Sequence, residues 1–250
     1  MLSLPSKFIF FLLLFALVTS CKKENALDCF KSSGSEKIET RYPGTFNTIQ
    51  VESKIEINIK QGPEFKLEVT AGKHIIKNIT TKVNDGILVI SNDNTCNFVR
   101  GYKKTVKVEI TAPYIKLIKN EGVGTVTVLE GFEQDTLVVR TESSGDIYIN
   151  GKYNQIRTSS HGNGDIYING STNSFNIYTF GTNFIHAENL IVNDFAFVHT
   201  LTLGDCFINA VNLKELSYNI GSSGNIYYKG NPPLIVDVSE VKAKGLAIKE

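Results

Sequence analysis

One short phrase recurs through the second half of the chain and dictates what it can fold into. It reads Gly145-Asp-Ile-Tyr-Ile-Asn-Gly, then Gly164-Asp-Ile-Tyr-Ile-Asn-Gly, Gly181-Thr-Asn-Phe-Ile-His-Ala, Gly204-Asp-Cys-Phe-Ile-Asn-Ala and Gly224-Asn-Ile-Tyr-Tyr-Lys-Gly. The lead glycines stand 19, 17, 23 and 20 residues apart. A unit of about twenty residues cannot enclose a core alone, so its apolar side chains are buried only when units stack. Each unit alternates Ile, Tyr, Phe and Val with polar residues and breaks at Gly, Ser, Asn and Asp, the pattern of strands and corners. A second strand candidate precedes each corner, at 137–140, 155–158, 175–179, 195–199 and 216–220. Two strands and two corners per turn predict an all-β chain wound as a parallel β-helix.

The same alternation begins earlier. Phe46, Ile49 and Val51, then Ile55, Ile57 and Ile59, then Phe65, Leu67 and Val69 alternate with polar residues, and Gln61-Gly62-Pro63 makes a corner. Asn84-Asp85-Gly86 leads into Ile87-Leu88-Val89-Ile90 with the Asp-Gly chemistry of a tight hairpin. Val106, Val108 and Ile110 make another strand, stopped by Pro113. No window longer than a turn shows helical periodicity, with residues 74–83 the one stretch where a helix stays open.

Residues 1–20 carry one lysine, at position 7, and an apolar run from Phe8 to Val18, too short to span a bilayer and suited to a secretory leader. Val18-Thr19-Ser20-Cys21 matches the lipobox at which a signal peptidase cuts before a cysteine that receives lipid. Cys21 is the expected lipidation site and membrane anchor. Residues 21–40 read as a lipidated tether, 41–234 as the folded body and 235–250 as a C-terminal tail. Lys22-Lys23-Glu24 resembles the charged signal that sends lipoproteins to the outer face of the outer membrane in Bacteroidetes; a plain solvated linker is the alternative, so the periplasmic and the cell-surface face both stay open. Residues 21–250 hold 25 basic and 25 acidic side chains, which gives no basic surface for nucleic acid.

Candidate chemistry on this scaffold has structural explanations. Asp146, Asp165 and Asp205 follow corner glycines, where an aspartate bonds its own turn, although a β-helix bearing acids is also a frame for polysaccharide-cutting enzymes. His74, His161, His186 and His199 show no metal-ligand spacing, and His186 stands where other copies carry Asn150, Asn169 and Asn209. Neither a metal nor another cofactor is expected. Serines 143, 144, 159, 160, 222 and 223 fall at corners with no triad pattern. Cys206 replaces the isoleucine of other copies and reads as a small buried hydrophobe. Cys29 and Cys96 lie in polar segments of an exported chain, and a disulfide between them is one outcome; sequence does not fix connectivity.

The opening Phe46-x-x-Ile-x-Val, the Gln61-Gly62 corner, the Asp85-Gly86-x-Leu88-x-Ile90 turn, the iterated Ser-Gly-Asp-Ile and the closing Gly224-Asn-Ile-Tyr-Tyr-Lys-Gly-Asn-Pro232 together resemble the head GIN domain family. That family is described as autotransporter adhesins and is frequent among Bacteroidetes lipoproteins. The resemblance covers about Phe46 to Pro232 and implies a right-handed β-helical fold. Its motifs are corner and core residues, so they speak to fold more than to activity.

One column is not explained by corners. Aligned on the lead glycines, Tyr148, Tyr167, Phe184, Phe207 and Tyr227 fall in register between two columns of mostly isoleucine. If the isoleucines point inward, the aromatics point outward as a stripe about 19 Å long at the rung spacing of about 4.8 Å. Such a stripe suits a glycan or a cell-surface protein; burial beneath the N-terminal strands or the C-terminal tail is the alternative. The expected function is a noncatalytic, outer-membrane-anchored lipoprotein of adhesin type. A polysaccharide lyase or glycoside hydrolase on the same scaffold and a structural envelope component are the competing readings.

Overall fold

The computed structural model describes residues 32–94 and 105–250. The leader, Cys21, Cys29 and Cys96 lie outside them. The described chain is a β-solenoid of about 7 turns with about 20 residues per turn. Parallel pairing repeats because equal-length turns bring like residues together every rung, and their backbone groups bond from rung to rung.

Two ladders run the length of the molecule. On the first, β1 (Glu36–Arg41) and β4 (Lys66–Gly72) lead to β7 (Val106–Ala112), β3 (Ile55–Gln61) and β9 (Val126–Val128). It continues through the first halves of β11 (Ile147–Ser160), β12 (Ile166–Gly181) and β13 (Ile185–Thr202), then β14 (Cys206–Asn209), β16 (Ile226–Lys229) and β18 (Ala247–Lys249). On the second, β5 (Ile79–Asn84) and β6 (Ile87–Asn92) lead to β2 (Thr48–Val51), β8 (Leu117–Asn120) and β10 (Glu133–Thr141). The second halves of β11, β12 and β13 follow, and then β15 (Glu215–Ile220) and β17 (Leu234–Asp237). β11, β12 and β13 each serve both ladders, β11 and β12 turning at the positive-φ glycines Gly151 and Gly170 and β13 turning without a glycine.

Between the ladders lies the core. One inner column is Ile147, Ile166, Ile185, Cys206 and Ile226; the facing one is Leu137, Ile156, Phe175, Ala196 and Leu216, and all are buried. Ile149 and Ile168 pair in the next inner column and are equally buried. Truncating one of them leaves a void that a stack of rungs cannot collapse. Ile168→Ala is expected to cost about 2–5 kcal/mol, read from the urea midpoint; an unchanged midpoint would place this column outside the core.

The third copy is shifted by two residues from its glycine-based alignment. Ile185 pairs with Ile166 and Cys206, and Ala187, not Ile185, pairs with Ile208. The corner place belongs to Asn183: a Cβ on Gly204 would lie 2.1 Å from the Asn183 carbonyl, as one on Gly164 would lie 2.4 Å from that of Gly145. True corner positions are therefore 145, 164, 183, 204 and 224, spaced 19, 19, 21 and 20. The extra residues of the longer turn are absorbed by register shifts at Tyr167/Asn169 and Thr172/Ser174. Asn183 is buried yet satisfied, donating to the Gly162 carbonyl at 2.9 Å and accepting from the Thr179 hydroxyl.

Both ends depart from the expected boundaries. The segment read as a tether already forms β1, antiparallel to β4, and β4 is antiparallel to β7. Asp85 and Gly86 both take positive φ, 49° and 77°, the geometry of a two-residue hairpin turn joining β5 to β6. Residues 74–83 divide into a 3-10 turn, Ile76–Asn78, and β5. Residues read as tail supply β17 and β18, the last rung. There Asp237 pairs with Tyr218 and Lys249 with Tyr228, so two inward positions become charged while Ile235 and Ala247 keep the other two apolar. Inward charge on an edge rung opposes pairing with further strands.

Candidate functional site

Backbone pairing places Tyr148, Tyr167, His186, Phe207 and Tyr227 in one outward column. Their rings stack: centroids are 4.6 Å apart for Tyr148–Tyr167, 4.4 Å for Tyr167–His186, 5.3 Å for His186–Phe207 and 5.4 Å for Phe207–Tyr227. Interplanar angles stay between 3° and 12°. All five rings are half-exposed, so neither the N-terminal strands nor the tail buries them. Because each ring uses its faces on its neighbours, the ladder turns mainly ring edges to solvent.

Phe184 is not in this column. The two-residue shift puts it where Asp165 and Asp205 stand, 37% exposed, its N–H donating to Asp165 Oδ1 at 2.8 Å. His186 takes the aromatic place instead and replaces Tyr, not Asn. Glu188 lies 3.6 Å from its Nδ1.

The corner aspartates bond the neighbouring rung, not their own turn. Asp146 Oδ1 accepts from the Asp165 N–H at 3.0 Å, Asp165 Oδ1 from Phe184, and Asp205 Oδ1 from the Asn225 N–H at 2.7 Å. Asn225 Oδ1 continues the series to the Leu246 N–H at 3.0 Å. On the other flank of the rings Asn150 donates to the Val128 carbonyl at 2.8 Å and Asn169 to Asn150 Oδ1 at 3.0 Å. Burial, and then the charges of Asp165 and Asp146, push the Tyr148 and Tyr167 phenols above the ordinary tyrosine range. Both remain neutral hydroxyls at physiological pH.

Beyond the asparagines the chain bends, and a cleft of about 300 Å³ opens there, lined by Glu130, Gly131, Phe132, Glu133, Asn150, Gly151, Lys152, Asn169 and Gly170. Its floor is low because Gly151 and Gly170 take φ of 149° and 114°, and a Cβ would meet the carbonyls of Phe132 at 2.2 Å and Gly151 at 1.9 Å. Lys152 Nζ pairs with Glu133 Oε1 at 2.8 Å on the rim. Sequence reading missed this cleft, whose glycines sit in a corner column of their own.

The remaining histidines are dispersed. His161 stacks on Phe180 at 4.7 Å, His199 lies 6.1 Å from the Tyr178 ring, and His74 Nδ1 is 2.8 Å from the Ser32 carbonyl. Among the described residues no group of three His, Cys, Asp or Glu could hold a metal ion. Cys206 is fully buried and its thiol is pushed up to about 12, chiefly by burial, so it is no nucleophile at neutral pH. Ser160 faces the interior in line with Thr141 and Thr179, a buried hydroxyl column that replaces the corner role expected for it.

Residues 45–232 match the family model described as "Putative auto-transporter adhesin, head GIN domain". No curated protein matches the chain. Among solved structures, a "putative adhesin" from Bacteroides fragilis is 23% identical, with a TM-score of 0.72 over 86% of this chain and 97% of that one. Another so named, from Parabacteroides merdae, is 18% identical, with a TM-score of 0.61 over 88% and 98% of the two chains. A "putative lipid binding protein" from Parabacteroides distasonis is 16% identical, with a TM-score of 0.61 over 87% and 98%. These likenesses carry the fold. The family match, spanning most of the solenoid, establishes that this chain belongs to the head GIN domain family of adhesin type.

Proposed function

We propose that the protein is a noncatalytic surface adhesin, tethered to the outer membrane by lipid on Cys21, that presents its aromatic ladder to a glycan or protein of another surface. The observation that carries the reading is the ladder itself. A monomer seldom leaves a continuous apolar strip half-exposed unless a partner covers it. Tyr and Phe are also the side chains that contribute most when an interface closes over them. The inner columns already stabilise the solenoid, so the outward rings are free for another role.

An enzyme on the same scaffold needs acids outside the corners, and in the cleft these are Glu130 and Glu133. Glu133 is held by Lys152 at 2.8 Å, which favours a structural ion pair over a proton-transfer role. Adhesion of cells displaying the protein, run beside a polysaccharide depolymerisation assay, separates the readings: adhesion without depolymerisation supports the proposal, and depolymerisation lost in Glu130→Gln would replace it.

Anchoring has its own test. Metabolic labelling with a fatty acid is expected to mark the wild-type chain and to leave Cys21→Ala unlabelled and unanchored. Label retained in that variant would remove Cys21 as the acylation site.

A further inference from the structure

The ladder is covered at one end and open at the other. Beyond Tyr227 the next rung supplies Ile248, itself half-buried. Beyond Tyr148 it supplies Thr127, whose short side chain cannot cover a ring. Tyr148 has Tyr167 as its ring neighbour on one face, and among the described residues no ring lies on the other. Within the ladder, the end ring face that has only a short side chain beside it is therefore that of Tyr148, above Thr127. Two residues further along the same strand, about 7 Å away on extended backbone, Asn150 lines the cleft.

We propose that the open face of Tyr148 and the cleft form a single site for a neutral oligosaccharide. One sugar ring stacks on Tyr148 above Thr127, and the next unit sits over Gly131, Gly151 and Phe132. The inference rests on the adhesin reading and deepens it by naming the ligand class. A pyranose has the surfaces required: a C–H face for the aromatic ring and hydroxyl edges for the Glu130 carboxylate and the Asn150 and Asn169 amides. At about 300 Å³ the cleft is at the small end for ligand pockets and suits one sugar unit, not a long chain. Charge fixes the class further. Asp146 flanks Tyr148, Glu130 and Glu133 line the cleft, and the one cation there, Lys152, is already paired with Glu133. A uronic or sialic acid would meet like charge and is excluded.

The test uses the full chain, acylated and held in detergent micelles, on an array of glucose, N-acetylglucosamine, mannose and galactose trisaccharides beside sialylated and uronic-acid trisaccharides. Binding is expected among the neutral probes. Tyr148→Ala is expected to weaken it about tenfold, the loss of one aromatic contact of about 1.4 kcal/mol. Thr127→Leu, which covers the open face and leaves the tyrosine in place, is expected to abolish it without lowering the melting temperature. Glu130→Gln is expected to weaken it as well. Preference for acidic probes, or neutral binding indifferent to Thr127→Leu and Glu130→Gln, would overturn the proposal. If no neutral probe binds while ladder-dependent cell adhesion persists, this site falls and the adhesin reading stands; if adhesion ignores the ladder, both fall.

Discussion

Replacing Gly164 by valine is expected to prevent the solenoid from closing. A Cβ there would lie 2.4 Å from the Gly145 carbonyl oxygen, and the same clash recurs up the column: Gly204 against Asn183 at 2.1 Å, Gly224 against Gly204 at 2.0 Å and Gly245 against Gly224 at 2.1 Å. None of these positions requires a positive φ, so the obstacle is rung spacing and not torsion. Relieving it means lifting one rung off the next by more than an ångström. The bonds on either side, Ile147 N–H to the Asp165 carbonyl at 2.9 Å and Ile166 N–H to that of Phe184 at 3.1 Å, would stretch with it. We expect a loss of at least about 4–5 kcal/mol, in the exceptional range for a single change. Gly131→Ala is the control: nothing lies within 4 Å of its would-be Cβ, but its φ is 85°. Only the left-handed penalty of about 1–2 kcal/mol then applies. Equal urea midpoints for the two variants would refute the account.

That column also shows what could be read in advance. The period, the inward isoleucines and the second strand of each turn were legible because stacking repeats the same side chain at the same height. The third copy was not, because its glycine is a decoy. Gly181 has a left-handed φ of 95° and lies two residues before the corner place, above Gly162, and Asn183, bonded inward to the Gly162 carbonyl at 2.9 Å, fills that place. Backbone pairing settled the register, and with it the exchange of Phe184 for His186. The aspartates misled for a related reason. Their acceptors face the next rung, 19 or 20 residues away, a contact no local turn rule describes. The end strands were hidden differently: Leu234, Ile235 and Val236 run together without alternation, and Glu36–Arg41 carries more charge than a strand usually does.

Replacing Tyr148 and Tyr167 together by serine is expected to abolish adhesion while the solenoid stays folded. The double change removes the Tyr148–Tyr167 and Tyr167–His186 stacks, at centroid distances of 4.6 and 4.4 Å. Each is worth about 0.5–1.5 kcal/mol, so stability should fall by about 1–3 kcal/mol, less than the deepest core truncations cost. Adhesion should fall much further, because the same rings would lose all the area that a partner buries and little of the area the protein buries itself. Ile168→Ala gives the contrast: a comparable or larger loss of stability with adhesion intact in whatever fraction remains folded. The phenols, held above their ordinary pKa, keep the upper ladder uncharged as the medium turns alkaline, so adhesion should not decline before tyrosine itself ionises. Thermal melts and cell-binding assays run side by side decide the matter. A folded double variant that still adheres would make the ladder a device for stacking rungs, and a collapse in melting temperature would make it core.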